Sequence, residues 1–253
     1  MKKIIFILLS LSFATVIGFA QTSQPSKNQM DENNQKQGYW EEKQGRSIYS
    51  GNYVDGKKEG TWVKHFNNNI LNKVDHYEND LLNGLSVTID QRGYFLVEDY
   101  YKNGKLDGVS QHYSRGGVLK SLIQYKNGLY HGLKQIYYAN VPGKIMEESL
   151  YNMGKKDGIS KWFDQEGHLI AEYNYKNGEL SGEQKTFYTG NKIMSKESYT
   201  NSIPVGEYKE YYENGQLKLI GGYEDGEKEG KWIAYDEEGK VTKVIRFKAG
   251  EER

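Results

Sequence analysis

The sequence predicts an all-β chain, an elongated single-layer antiparallel β-meander built from tandem hairpin repeats of ~24 residues. Three observations carry this. First, an aromatic recurs at Tyr53, Tyr77, Tyr101, Tyr125, Tyr151, Tyr175, Tyr199, Tyr223 and Phe247, always 24 residues apart except for one step of 26. Second, glycine stands seven residues after each of the first eight: Gly60, Gly84, Gly108, Gly132, Gly158, Gly182, Gly206 and Gly230. Third, turn dipeptides such as Asn103-Gly104, Asn127-Gly128, Asn177-Gly178 and Asp225-Gly226 follow the aromatics. Both residues of such a pair tolerate positive φ, which a two-residue hairpin loop requires.

The elements follow in chain order. Residues 1–20 (MKKIIFILLSLSFATVIGFA) read as a signal peptide. Lys2 and Lys3 form the positive start, Ile4 to Ile17 the apolar stretch, and Gly18-Phe19-Ala20 the small-residue cleavage site. Cleavage between Ala20 and Gln21 makes the mature chain an exported protein, periplasmic or secreted. Residues 21–37 hold no aromatic and read as a flexible leader, too poor in apolar surface to offset its ordering entropy. The array then occupies 38–253: a half-repeat at 38–52, eight repeats at 53–246 and a trailing half-repeat at 247–253. The 26-residue repeat carries its insertion around Val141-Pro142, at a turn.

Within a repeat, let the leading aromatic be position zero. Position twelve is aromatic in six copies: Tyr113, Tyr137, Phe163, Phe187, Tyr211 and Tyr235. An aliphatic or Phe follows near position eighteen. If the strands alternate regularly, positions zero, twelve and eighteen share one side and stack into a thin ridge, either core or binding groove. The candidate ridge residues are Tyr101, Tyr113, Tyr125, Tyr137, Tyr151, Phe163, Tyr175, Phe187, Tyr199, Tyr211, Tyr223 and Tyr235. Trp40, Trp62, Tyr208 and Trp232 fall at position nine and Trp162 at position eleven. Odd positions lie on the opposite, solvated face by the same count. These five are therefore the candidate partner-binding residues, since exposed Trp and Tyr are enriched at binding hot spots.

Composition bounds the function. Hydrophobic residues reach only 36%, below the roughly 45–50% of an ordinary globular domain, so a thick aliphatic core is excluded. Net charge is zero, and without Lys2 and Lys3 there are 32 basic against 34 acidic residues. No basic footprint for nucleic acid exists, and near-neutrality argues against attraction to an anionic membrane surface. The absence of Cys removes thiol nucleophiles, thiolate metal sites and disulfides.

Tyr-Lys-Asn-Gly-Lys-Leu-Asp-Gly at 101–108, Tyr-Glu-Asn-Gly at 212–215 and Gly-Lys-Trp-Ile-Ala-Tyr at 230–235 resemble MORN repeats. The resemblance is closer to the bacterial repeat variants of YwqK-type antitoxins and related exported proteins, and it covers residues 38–253. It implies an extended sheet of hairpins that binds or scaffolds, with any catalysis left to a separate domain. The export signal sets this chain apart from an intracellular antitoxin.

A search for chemistry returns little. Gly51-Asn52-Tyr53-Val54-Asp55-Gly56-Lys57-Lys58 misses a phosphate loop at Lys58, where Ser or Thr is required to hold the metal. His65, His76, His112, His131 and His168 sit at five different repeat positions, so no metal site is expected. Glu59, Asp107, Asp157 and Glu229 recur at position six, as a cation row or, more simply, as turn residues before glycine. No catalytic residue, cofactor or metal is assigned. The expected function is a non-catalytic protein-binding scaffold of the bacterial envelope or secretome, its protein partner unidentified. A carbohydrate or cell-wall module and an antitoxin-type or immunity-type sequestering protein are the alternatives. Self-association through terminal edge strands is a further expectation.

Overall fold

The computed structural model describes residues 26–253; the signal peptide lies outside them. Among the described residues there is no helix. Twenty-two strands, from Gln29–Met30 to Glu251–Glu252, form one open antiparallel sheet in which consecutive strands pair. Two of the short strands, Leu81–Leu82 and Glu179–Leu180, are the opening pieces of Gly84–Ile89 and Gly182–Phe187, pairing with the same preceding strand.

The leader expectation needs correction over residues 26–37; residues 21–25 lie outside the described residues. Gln29–Met30 is a strand paired with Lys36–Gln37, closed by Asp31 Oδ1, which accepts from Asn33 N at 2.9 Å and Gln35 N at 2.8 Å. Trp40 Nε1 donates to the Gln29 carbonyl at 3.1 Å. Main-chain pairing and a side-chain-capped turn order this stretch without apolar side chains, so the array starts before Gly38.

Each repeat alternates two kinds of turn. The two-residue turns have both residues at positive φ, as at Asn103 (49°) and Gly104 (76°). Where glycine is missing, Asp80 and Ser202 take the left-handed conformation themselves, at 66° and 65°. The position-three N–H of these turns donates backwards to the preceding repeat: Gly104 N to the Leu82 carbonyl at 2.8 Å, Gly128 N to that of Leu106 at 2.7 Å. On the other edge a tyrosine at position thirteen reaches forward. Tyr138, Tyr188 and Tyr212 donate from their hydroxyls to the carbonyls of Phe163, Tyr211 and Tyr235, at 2.7, 2.9 and 2.8 Å. Both edges are thus stitched repeat to repeat, the nearest-neighbour logic of a solenoid.

The two faces are not divided as parity predicts. In a two-residue turn, residue i faces residue i+3, so Tyr53 opposes Lys58 and the even and odd numbers exchange sides. Gly60 pairs with Tyr77 and Trp62 with Asp75. Positions zero and nine therefore share one face, here called the packed face. Beyond it the register slips by one residue between Lys64 and His65. The same slip recurs near position twelve in the other copies, for example between Trp162 and Phe163. Position twelve already lies on the opposite, open face by alternation from position nine, and the slip brings position eighteen onto that face beside it, where Phe95 meets Tyr113 at 6.3 Å. The ridge is thus two rows: Tyr101, Tyr125, Tyr151, Tyr175, Tyr199 and Tyr223 on the packed face, and Tyr113, Tyr137, Phe163, Phe187, Tyr211 and Tyr235 on the open one.

The position-seven glycines have φ between 68° and 129°. They open a bulge in which Gly60 to Trp62 together oppose Gly51, since the pairs on either side are Asn52 with Glu59 and Ser50 with Val63. A side chain at Gly51 would meet the Trp62 ring at 2.5 Å, so the indole lies flat on bare backbone. Gly51→Ala is expected to destabilise the fold by about 1–3 kcal/mol through overpacking. At Gly45 (φ +62°) nothing lies within 4 Å of an added methyl, so alanine there costs only local strain, about 1 kcal/mol. Urea denaturation of the two variants measures the difference.

Candidate binding face

The packed face carries a central ladder in which position nine of each repeat sits opposite position twenty-two, two residues before the next aromatic. Its rungs are Trp62–Asp75, Ser86–Asp99, Ser110–Ile123, Lys134–Ser149, Ser160–Tyr173, Gln184–Glu197, Tyr208–Gly221 and Trp232–Ile245. All the buried polar residues, from Asp75 to Gln184, belong to it. The ladder is the core of a sheet too thin to have another.

Its ends are aromatic and its middle is small and polar. At the first end, Trp62 is fully buried, with Tyr49 and Tyr53 each 5.0 Å away between ring centres. Trp40 meets Tyr53 edge-on at 5.8 Å. At the far end, Trp232 stacks on Tyr208 at 5.5 Å and meets Tyr223 at 5.3 Å and Phe247 at 6.1 Å. Trp162 packs on Tyr173 at 5.1 Å. The expectation that these tryptophans are exposed hot spots on a second face is overturned for Trp62 and Trp232, 0% and 4% exposed. Trp40, Trp162 and Tyr208 are half-buried on the same face.

A lysine signal in the sequence went unread. Each of the four tryptophans has a lysine at position five of its own repeat, with the ammonium over its ring: Lys36 on Trp40 at 4.7 Å, Lys58 on Trp62 at 4.2 Å, Lys156 on Trp162 at 4.8 Å and Lys228 on Trp232 at 4.3 Å. Repeats without tryptophan have Leu82, Leu106, Tyr130, Leu180 or Pro204 there. The indole face attracts the cation, and the lysine stem shields the ring from water.

The ladder's carboxylates are each compensated. Buried Asp75 accepts from the Tyr49 hydroxyl at 2.7 Å and Ser86 Oγ at 2.5 Å and pairs with Lys73 at 2.9 Å. Asp99 accepts from Ser110 Oγ at 2.6 Å. Burial pushes the Glu147 carboxyl up, but Ser149, Lys134 and Lys156 outweigh it and hold the group below its usual range. Burial, then Glu197, pushes the Tyr199 hydroxyl up to about 12; burial and Glu210 do the same at Tyr208. These hydrogen-bonded and paired groups build structure.

The other candidates resolve as turn chemistry. Glu59, Asp107 and Glu229 accept from the main-chain N–H of Asn79, Asn127 and Ala249 in the next turn, at 3.0, 3.0 and 2.8 Å. Among the described residues one group of metal-ligating side chains converges, Asp164, Glu166 and His168. There Asp164 caps its own turn, accepting from Gly167 N and His168 N at 2.8 Å, as Asp90 and Asp236 do in theirs.

The open face is different in kind. Its positions eight and twenty-three face each other across strands and carry Leu85–Tyr100, Leu133–Leu150 and then Ile159. Leu85, Tyr100, Leu150 and Ile159 are 38–46% exposed. The same positions in the last repeat are Lys231 and Arg246.

Against known families, residues 106–127, 156–177, 180–201, 204–225 and 228–249 each match the MORN repeat variant. This is a MORN-repeat-variant protein. The unmatched 26-residue MORN copy carries the insertion, and the copies before residue 106 lack the usual position-three glycine at Asp80 or the position-twelve aromatic at His65 and Ile89, yet all keep the fold. MORN repeats are in general protein-binding or membrane-binding modules, a non-enzymatic repeat type. No curated protein matches the chain.

The Glu147 site generates a pH prediction. Because its folded pKa is depressed, the unfolded chain binds the proton more tightly. The stabilisation is present above the unfolded carboxylate value and is lost as pH falls through the folded one. Glu147→Gln is expected to lose about 1–2 kcal/mol at pH 7 and to show a shallower loss of stability below about pH 4.5, in urea titrations run at several pH values.

Proposed function

We propose that this protein is a non-catalytic scaffold of the bacterial envelope or secretome that binds a protein partner through the open face of its sheet. The observation that carries the reading is the run of exposed Leu85, Tyr100, Leu150 and Ile159 across the middle of the array. Exposed apolar side chains gathered on one face of a folded chain mark an interaction surface. The packed face spends most of its rings on its own core, whereas the open face carries these apolar side chains exposed. Residues 1–20 support work outside the cytoplasm.

Two measurements check this. N-terminal sequencing of the protein recovered from its host is expected to begin at Gln21; a start at Met1 or Lys2 overturns the export reading. In a crosslinking pull-down, one protein is expected to be enriched by the C-terminally tagged chain. Tyr100→Glu/Leu150→Glu is expected to reduce capture by about tenfold or more, while Lys231→Glu/Arg246→Glu, at the same ladder positions, retains it. Equal capture by both pairs moves the site off the open face. Enrichment of a glycan or of lipid instead of protein replaces the scaffold reading.

A further inference from the structure

The first and last full repeats are built on one plan, and their difference exposes a site. In the first, Tyr49 lies against Trp62 beneath the Lys58 ammonium, 4.5 Å from its ring, with its hydroxyl on Asp75 and Tyr77. The residues at the same places in the last repeat are Leu219 for Tyr49, Ala234 for Lys64, Ile245 for Asp75 and Phe247 for Tyr77. The tryptophan and its lysine are kept, as Trp232 and Lys228. Where the Tyr49 ring sits in the first repeat, the last has an open recess of about 150 Å3, walled by Leu219, Trp232, Ala234, Ile245 and Phe247.

We infer that this recess seats an aromatic side chain of a protein partner, one that carries a carboxylate beside the ring. The size fits, since an apolar hole of ~150 Å3 is enough for a benzene ring. The first repeat shows the pose: a ring against the indole and under the lysine. The walls choose phenyl over phenol, because Ile245 and Phe247 replace the Asp75 and Tyr77 groups that hold the Tyr49 hydroxyl. Charge selects the neighbour of the ring. Lys73 pairs with Asp75 at 2.9 Å, whereas its counterpart Lys243, on the rim of the recess, has Ile245 in place of that carboxylate. Lys243 and Lys228 thus present two ammonium groups to whatever enters. A second sign of an unfinished site is the Trp232 indole. Trp62 Nε1 donates to the Asn52 carbonyl at 3.1 Å, while buried Trp232 Nε1 has no acceptor. A buried donor left unpaired is a cost that a shift of the ring on binding relieves.

The inference goes beyond the scaffold reading, because it places a contact on the packed face and names its chemistry. The probe is a blocked four-residue peptide with phenylalanine next to glutamate, with Gln-for-Glu and Ala-for-Phe versions as controls. The readout is 19F NMR of the full mature chain labelled with 5-fluorotryptophan, which distinguishes Trp232 from the other three. A saturable shift of the Trp232 resonance alone is expected, about fivefold weaker for the Gln version and absent for the Ala version. Leu219→Phe refills the recess with a ring and is expected to weaken probe binding at least tenfold. Lys243→Glu, an exposed substitution that leaves the packing alone, is expected to abolish the preference for Glu over Gln. No shift at Trp232, equal shifts at all four tryptophans, or undiminished binding by both variants overturns the inference. Those outcomes leave the pull-down result untouched. Loss of the captured partner in Leu219→Phe, with Tyr100→Glu/Leu150→Glu silent, would keep the recess and overturn the open-face scaffold reading.

Discussion

A backbone that must turn left-handed at position seven of every repeat is the constraint behind the rest of this structure. No L-residue adopts φ of 70–130° cheaply, and all eight copies place glycine there. The glycine opens a bulge against the preceding strand, while toward the following strand the register stays regular and pairs position nine with position twenty-two. Once that rung exists, its two members compete for one volume. Trp62 and Trp232 lie over Gly51 and Gly221 of the preceding strand, where any side chain would meet the ring. In the middle of the array Ser, Gln and Lys share the space with Asp, Ser and Glu, and hydrogen bonds replace ring contacts.

The result is a protein whose core is a line rather than a volume. Its stability is spread over local rungs, turns and edge stitches, so a change in one repeat is felt mainly by its neighbours. This tolerance is visible in the chain. The 26-residue copy absorbs its insertion at a turn, and Asp80 and Ser202 replace turn glycines without disturbing the register on either side. Such independence lets the first repeat fill its own aromatic seat with Tyr49 while the last leaves the same seat open. The division of labour between faces follows from it too: the fully buried rings gather on the packed face, and the open face carries Leu85, Tyr100, Leu150 and Ile159 exposed.

Much of the fold was legible before any coordinates. The period, the all-β class and the turn dipeptides are local properties, and local φ preferences and turn chemistry act within a few residues. The Lys–Trp pairing was legible as well, in the coincidence of lysine at position five with tryptophan later in the same repeat. What failed was the attempt to count faces by parity through a turn. Trp62 and Tyr53 have opposite parity and share a face because a two-residue loop pairs i with i+3. Tyr113 and Tyr101 have the same parity and lie on opposite faces for the same reason, while Leu119, of the same parity as Ile123, joins Tyr113 on the open face only because the register slips by one residue between them.

By itself, then, the sequence determined the repeat and its two turns, because each rests on chemistry between residues close in the chain. The tertiary structure alone decided which rings are core and which surface is open. That choice depends on bulges and register between strands, and on the volume each rung leaves to its partner. Neither quantity belongs to any one strand.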